Sequence, residues 1–142
     1  MNYVYPAIFY EEEGKISVLF PDLGNLATFG DNMADAMRMA QDACGLYLFT
    51  ALRDGETFPP PTALTDINPA TVLKDFEMES AAGSAFVNMV LVDMNEYAKQ
   101  YGDKAVKKTL SIPTWLNTLC EEKSINFSKV LQDALLTKVQ SP

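Results

Sequence analysis

The sequence predicts an α+β protein in two parts, a β-β-β-α-β-α domain over residues 1–102 and a small β-α-α module over residues 103–142. In the first part, apolar runs bounded by turn residues accompany one long stretch of helical periodicity. In the second part, a short polar strand runs directly into a proline and two compact amphipathic helices. The charge also changes sign: the first part has 15 Asp and Glu against 5 Lys and Arg (net −10), and the second has 4 against 6 (net +2).

The first part opens with a predicted antiparallel meander. Apolar runs at 5–10 and 16–20 flank a charged turn that contains Gly14, a pattern typical of a β-hairpin. A second turn at 21–25 leads to a short third strand at 26–29.

A long amphipathic helix is predicted next, capped by Asp31 or Asn32 and ended by Asp54 and Gly55. Its apolar stripe is wide enough to bury against a sheet, and its methionines are expected to fill the core rather than to line a partner groove. Three prolines at 59–61 then impose an extended exit. The stripe comprises Met33, Ala36, Met37, Ala40, Ala43, Cys44, Tyr47, Leu48 and Ala51, with Met39 as the third methionine.

The end of the first part is less regular. Residues 62–85 give no clear secondary-structure prediction, and the stretch 80–84 has the composition of a loop. Residues 86–92 form the most apolar run and are predicted to be the central strand of the sheet. A short helix at 95–101 follows, and Gly102 with Asp103 closes the domain.

Composition excludes several functions. The chain has no histidine, which removes Ser-His-Asp and Cys-His catalysis and histidine-ligated zinc. Cys44 and Cys120 have neither metal nor redox spacing and are expected to be buried, reduced thiols. No apolar run is long enough to span a membrane and no leader is evident, so a soluble, cytoplasmic protein without cofactor, metal or membrane partner is expected.

The predicted strand of the second part has two different faces, because alternation places its apolar side chains opposite its polar ones. Its backbone N–H and C=O groups must pair outside the segment, and the simplest partner is the same strand of a second chain. A two-stranded ribbon of this kind fits the DNA major groove. The apolar face carries Leu110 and Ile112, and the polar face carries Lys107, Thr109 and Ser111.

Two helices complete the second part. Pro113 is predicted to be the first residue of one helix, Ser124 and Ile125 to turn the chain, and Asn126 to cap the other. Forty residues with so little apolar surface would scarcely fold alone, so a homodimer is expected, with pairing of dimers into tetramers left open. The expected dimerisation residues are Leu110, Ile112, Trp115 and Leu116.

Residues 106–113 and 125–131 resemble the ribbon-helix-helix DNA-binding fold. This resemblance implies that the polar strand face reads base edges and that the start of the second helix holds phosphate through free N–H groups. A solvated strand face and ordinary helix capping are the structural alternatives. The implied DNA-binding residues are Lys107, Thr109, Ser111, Asn126, Ser128 and Lys129.

The ordered series Tyr-Pro-Ala at 5–7, Phe-Pro-Asp-Leu at 20–23, Thr-Phe-Gly-Asp at 28–31 and Asp-Gly-Glu-Thr-Phe-Pro at 54–59 resembles the HicB antitoxins. Those proteins neutralise the toxins of HicA–HicB pairs. The resemblance implies a degenerate RNase H-like first domain that binds a HicA-like mRNA-cleaving toxin, and a tail that binds operator double-stranded DNA.

The chain departs from that family at two turns. Gly-Asn-Leu stands at 24–26 where the family often has Pro-Gly-Cys, and Ser124 stands where many ribbon-helix-helix tails have glycine between the helices. If Ser124 adopts a left-handed conformation, it costs about 1 kcal/mol relative to glycine.

Three functions fit these observations unequally. The first is an antitoxin whose acidic front docks a basic toxin, although the same acidity can serve as a solubilising surface. The second is an orphan ribbon-helix-helix transcriptional regulator whose first domain senses a ligand or a protein. The third, a nuclease, is disfavoured because the predicted strands contain no Asp or Glu within them, so the first domain is interpreted as non-catalytic.

Overall fold

The computed structural model describes residues 1–101 and 106–140, without the side chains of Tyr101 and Gln140. The chain forms two compact units. The first unit is Asn2–Met94, and the second is Met1 together with Asn95–Pro142. The predicted domain boundary at 102/103 lies outside the described residues and stays a prediction.

The first unit is built on four strands, β1 Asn2–Glu12, β2 Lys15–Phe20, β3 Leu26–Gly30 and β4 Phe86–Asp93. They form one antiparallel sheet in the order β3-β2-β1-β4. The predicted α+β class is therefore confirmed, and the predicted elements occur in the predicted order, with one further helix between the first helix and the fourth strand. The central strand β1 pairs on both sides, so that Ile8 lies between Leu19 of β2 and Val87 of β4.

The prediction that residues 86–92 form the central strand is wrong, because β4 is an edge strand. Its apolar composition has another cause. Val90 and Val92 are buried on one face of the sheet, while Val87 packs on the opposite face against a separate apolar cluster. A strand whose two faces are both buried has a continuous apolar run, whether it lies at the centre or at the edge of its sheet.

Helix α1, Met33–Arg53, follows β3 after two residues. Asn32 caps it, with its side-chain Oδ1 accepting from the Asp35 N–H at 2.9 Å, as predicted. The helix begins so close to β3 that a Cβ on Gly30 would lie 2.2 Å from the Ala36 nitrogen, which makes glycine necessary there. At the other end Gly55 adopts a left-handed φ of 73° and completes the predicted C-terminal turn.

The face that α1 buries consists of small residues and one leucine, which lets the helix approach the sheet closely. Met33 and Met37 are exposed, so the expectation that they fill the core is wrong, and Met39 is half-buried. The long methionine side chains lie at the margins of the stripe, while small side chains occupy its centre. The buried residues are Ala36, Ala40, Cys44, Gly45, Leu48 and Ala51.

Residues 62–85, for which the sequence gives no clear prediction, form a third layer. Helix α2, Pro69–Asp75, is capped by Asn68 and flanked by two 3₁₀ helices, Leu64–Asp66 and Glu79–Ser84. The second of these includes the stretch 80–84, so its interpretation as a loop is wrong. Leu73 of α2 packs with three buried residues of the sheet, Ile8, Tyr10 and Leu19. The first unit is therefore a sheet covered on both faces.

The second unit contains most of α3, Met94–Tyr101, together with α4, Thr114–Glu122, and α5, Phe127–Gln140. Pro113 is not the first helical residue as predicted but the residue just before it, because its ψ of 143° is extended. Residues 106–113 have no regular secondary structure in the single chain. A ribbon strand is defined by pairing with a second chain, so the predicted strand stays a prediction.

Candidate functional site

The segment that the sequence predicts to read DNA is exposed throughout. Lys107, Thr109 and Ser111 are all exposed and lie in the non-regular stretch 106–113, immediately before α4. Their proximity in sequence keeps them together, but base contact by these side chains stays a prediction.

The start of α5 has the geometry that the sequence predicts. The Asn126 Oδ1 accepts from the Lys129 N–H at 3.0 Å, so Asn126 is confirmed as a cap. The Ser128 Oγ accepts from the Gln132 side chain at 3.0 Å. The first N–H groups of a helix have no partner within it, so those at Phe127 and Ser128 point out of an exposed helix end. Such an end favours an anion, and phosphate contact there stays a prediction.

The turn between α4 and α5 is left-handed at Ser124, whose φ is 54°. The Ser124 N–H donates to the Glu121 carbonyl and the Ile125 N–H to the Cys120 carbonyl, at 3.0 and 2.9 Å. Helix ends with these two hydrogen bonds normally have glycine at the left-handed position. In this chain Ser124 occupies that position, so the serine adopts the left-handed conformation.

The predicted dimerisation residues form part of a large uncovered apolar surface. Leu110 and Trp115 are 65% and 66% exposed, Ile112 is exposed, and Leu116 is half-buried. So many exposed large apolar side chains in so short a module are typical of a surface that a partner covers. The other large apolar side chains exposed in the described part of the second unit are Met1, Val106, Leu119, Ile125, Phe127, Val130, Leu135 and Val139.

One polar contact in the second unit was not anticipated from the sequence. Asn95, at the start of α3, is buried, and its side-chain amide donates to the Asp133 carboxylate of α5. The same carboxylate lies 2.5 Å from the Met1 nitrogen. This contact ties α3 to α5 within the second unit. Nothing in the local pattern around Asp133 distinguishes it from an ordinary exposed helix acid.

The surface of the first unit is strongly acidic. Residues 2–94 contain 14 Asp and Glu against 4 Lys and Arg. Three of these four bases already pair with neighbouring acids: Lys15 with Asp31, Arg38 with Asp35, and Arg53 with Asp54. The Asp31 N–H and the Arg38 guanidinium lower the pKa of Asp35. Most carboxylates therefore remain available to attract a cationic partner.

The described residues present little that resembles an active site. Across 1–101 and 106–140, no group of three or more Cys, Asp and Glu residues is placed to hold a metal ion. Burial raises the pKa of the Cys44 thiol to about 12, which opposes a reactive thiolate. Both cysteines are free; Cys44 is buried as predicted, whereas Cys120 is only half-buried. No helix within the described part of the chain is long and apolar enough to cross a membrane.

Comparison with known proteins agrees with the predicted family. Residues 5–119 match a family described as "HicB_like antitoxin of bacterial toxin-antitoxin system", a match that covers all but the first three residues of the first unit and reaches into α4. A chain of a solved "Toxin-Antitoxin complex from Streptococcus pneumoniae" is 28% identical with a TM-score of 0.62, covering 97% of this chain and 99% of that one.

A second solved structure, "Antitoxin HicB3 crystal structure", is 22% identical with a TM-score of 0.51, covers 99% of this chain and 100% of that one, and supports the fold. Comparison with curated protein sequences gave no significant match. Because the family match spans most of the sequence and agrees with the fold, the chain belongs to the HicB-like antitoxins of bacterial toxin–antitoxin systems.

Proposed function

We propose that this antitoxin neutralises a HicA-like mRNA-cleaving toxin by binding it through residues 1–102, and that it represses its own operon by binding operator DNA as a dimer through residues 103–142. The observation that carries the proposal is the similarity, over nearly the whole length of both chains, to a chain of a solved toxin–antitoxin complex. Agreement over the full length supports both modules rather than a shared sheet alone.

The first unit supports neutralisation by occupation of the toxin surface. Its net charge of −10 over residues 2–94 favours encounter with a basic ribonuclease and disfavours nucleic acid. A sheet packed on both faces offers a surface that can cover an active site without chemistry of its own. The proposed mechanism therefore includes no catalytic step by this chain.

The second unit supports dimeric DNA binding. Its uncovered apolar side chains, including Leu110 and Trp115, need a partner surface, and an intertwined second chain provides one. Pairing of residues 107–112 across the two chains would satisfy their backbone groups and turn Lys107, Thr109 and Ser111 outward together. The exposed N-terminus of α5, capped by Asn126, would then lie against phosphate.

The first experiment is growth rescue. Any small basic reading frame found beside this gene is expressed alone and then with the full antitoxin chain. Arrest by the neighbour and recovery with the antitoxin is the expected result. Recovery should require binding, so purified toxin and antitoxin should elute as one complex. A harmless neighbour, or arrest that the antitoxin does not relieve, contradicts neutralisation and favours the orphan regulator.

The second experiment separates the two modules. Lys107→Ala and Thr109→Ala should each weaken binding to the operator by about 1–3 kcal/mol while leaving rescue intact, because one good base contact is worth that much. Lys138→Ala removes an exposed lysine near the C-terminal end of α5 and serves as the control, with operator preference retained. Wild-type operator preference in both strand variants would contradict the predicted ribbon.

A further inference from the structure

The two edges of the sheet differ in how their backbone groups are satisfied. On β4, the Leu91 carbonyl accepts from the Gln41 side chain at 3.0 Å, and the Met89 N–H donates to the Asn88 Oδ1 at 2.9 Å. Within the described residues, the backbone groups of Ala27 and Phe29 make no hydrogen bond outside the ladder with β2, while the Leu26 N–H donates to the Leu23 carbonyl at 3.2 Å. An edge strand whose backbone N–H and C=O groups have no hydrogen-bond partner is a template for an added strand, whereas an edge whose groups are already hydrogen-bonded resists one.

An uncovered strip of sheet lies beside this open edge. The register pairs Ala27 with Leu19 and Phe29 with Ser17, which places Ala27 and Phe29 on the face that the α2 layer covers. That layer reaches Leu19 but leaves β3 bare, so Ala27 is exposed and the Phe29 ring is 53% exposed. We call Ala27, Phe29 and the outer edge of β3 the β3 strip. It offers hydrogen bonds and an aromatic surface side by side.

The surroundings of the β3 strip favour a cation. The Lys15 ammonium lies 4.8 Å from the centre of the Phe29 ring and 3.4 Å from an Asp31 carboxylate oxygen. The ring and this carboxylate therefore suit a cation, and a basic side chain of a partner would take the place of Lys15 there. On the neighbouring strand, Ser17 donates to the Glu12 carboxylate at 3.1 Å, which places a second acid beside the strip. These charges disfavour nucleic acid and anionic membranes as occupants.

We propose that an extended, basic segment of the toxin adds to β3 as a fifth strand and packs a side chain against Phe29. This inference rests on the proposed neutralisation and names the surface that performs it. Main-chain hydrogen bonds to β3 supply affinity in this mode, and the Phe29 ring with its flanking acids selects the segment. On the β4 edge, Gln41 and Asn88 already occupy one carbonyl and one N–H that the same mode would need.

Hydrogen exchange of the full chain, free and bound to purified toxin, tests strand addition. The β3 amides that do not bond to β2 should exchange about tenfold more slowly or better in the complex, while residues 87–92 exchange at the same rate in both states. A complex that forms but leaves β3 unprotected, or that protects β4 instead, overturns the β3 strip and leaves neutralisation standing. Failure to form any complex overturns the proposed function itself.

Matched variants test the ring and the charge separately. Phe29→Ser should weaken toxin binding about tenfold or more, whereas Phe86→Ser, which alters a 41% exposed phenylalanine on the other edge, should stay within about twofold. Glu12→Lys should slow association and reduce its salt dependence, and Glu56→Lys, an exposed acid outside the sheet, should do so far less. The proposal would be overturned if the two variants of each pair lost toxin binding or association rate equally. If a phenylalanine variant fails to fold, the comparison of Glu12→Lys with Glu56→Lys decides.

Discussion

The two units of the chain differ in whether they can bury their own apolar side chains. In the first unit Ile8, Phe9, Val18 and Phe20 are completely inaccessible to solvent. In the second, α4 has no buried residue, and Trp115 is among its most exposed side chains. The first unit closes its core within one chain, whereas the second presents apolar surface that a single chain does not cover.

This difference follows from the number of layers that each unit contributes. A sheet has two faces, and the first unit supplies α1 for one and the α2 layer for the other. The described part of the second unit supplies three short helices and a non-regular stretch whose backbone has no ladder within the chain. Small modules of this size usually reach stability by oligomerisation. Stability should therefore be independent of concentration in the first unit and dependent on it in the second.

The largest effect is expected from a charge placed in the predicted ribbon. Leu110→Asp would bury a carboxylate between two chains, and an unpaired buried charge costs several kcal/mol, so the dimer should dissociate by about a hundredfold or more in Kd. Analytical ultracentrifugation across a concentration series measures the change. Thr109→Asp adds the same charge on the opposite strand face and should leave the dimer intact.

A fully dimeric Leu110→Asp protein would show that the apolar face of residues 107–112 is not the subunit interface. Dissociation by Thr109→Asp alone would show that the alternation is assigned to the wrong face. Either outcome would contradict the interpretation that a second copy of the predicted ribbon strand completes the second unit.

A core truncation in the α2 layer tests the closed first unit. Leu73→Ala removes a fully buried side chain from the cluster with Ile8, Tyr10 and Leu19 and should destabilise the first unit by about 2–5 kcal/mol. Leu64→Ala makes the same change at a 47% exposed position of the same layer and should cost much less. Urea unfolding at two protein concentrations measures both. Equal costs would mean that this layer does not pack on the sheet as described.

The sequence predicted the elements of the first unit where a pattern was long enough to repeat. The hairpin, β3 and the 21-residue α1 are marked by turn residues or by a repeating apolar pattern, and none of them needs a second chain to form. The α2 layer was missed because α2 has only seven residues and its neighbours are 3₁₀ helices, too short to show a period. The position of β4 was mistaken because an apolar run records burial and does not record pairing.

For the candidate site, the sequence predicted local chemistry better than interactions between chains. The Asn126 cap and the turn at Ser124 depend on neighbouring residues, and both are present. The pairing of residues 107–112 depends on another chain and stays a prediction. The β3 strip was invisible in the sequence because Phe29 belongs to an ordinary apolar alternation until the extent of the covering layer is known.

The two cysteines allow the units to be compared in solution. Burial raises the pKa of Cys44 to about 12, so the thiolate that reacts with a disulfide reagent is scarce in the folded first unit. Cys120 in α4 is half-buried. At pH 8, Cys44 should react about tenfold more slowly than Cys120 or slower still, and denaturant should remove the difference. Cys44→Ser and Cys120→Ser identify each rate.

The pH dependence of stability has a definite sign for Cys44. Its folded pKa lies above its unfolded value of about 8.5, so its contribution is complete below that pH and is lost as pH rises towards about 12. The Cys44→Ser variant should lose this alkaline decline in the first unit. An unchanged decline would assign it to other groups.

The smallest effect is expected at two left-handed residues, one in each unit. Glu77 and Ser124 have φ values of 58° and 54°, and each ends a helix in the same way as Gly55. Glycine removes the steric cost of this conformation but also makes the unfolded chain more flexible, so a net gain of about 0.5 kcal/mol is expected for Glu77→Gly and Ser124→Gly. Lys123→Gly, at a φ of −89°, gains no relief and should destabilise the tail by a similar amount.

The unfolding transition that each variant stabilises then distinguishes the two units. Glu77→Gly should raise the concentration-independent transition of the first unit, and Ser124→Gly should raise only the transition that depends on protein concentration. Differential scanning calorimetry at two concentrations resolves the two. If Ser124→Gly instead shifted a concentration-independent transition, the tail would fold without a second chain, and its exposed apolar surface would have to serve a partner other than its own copy.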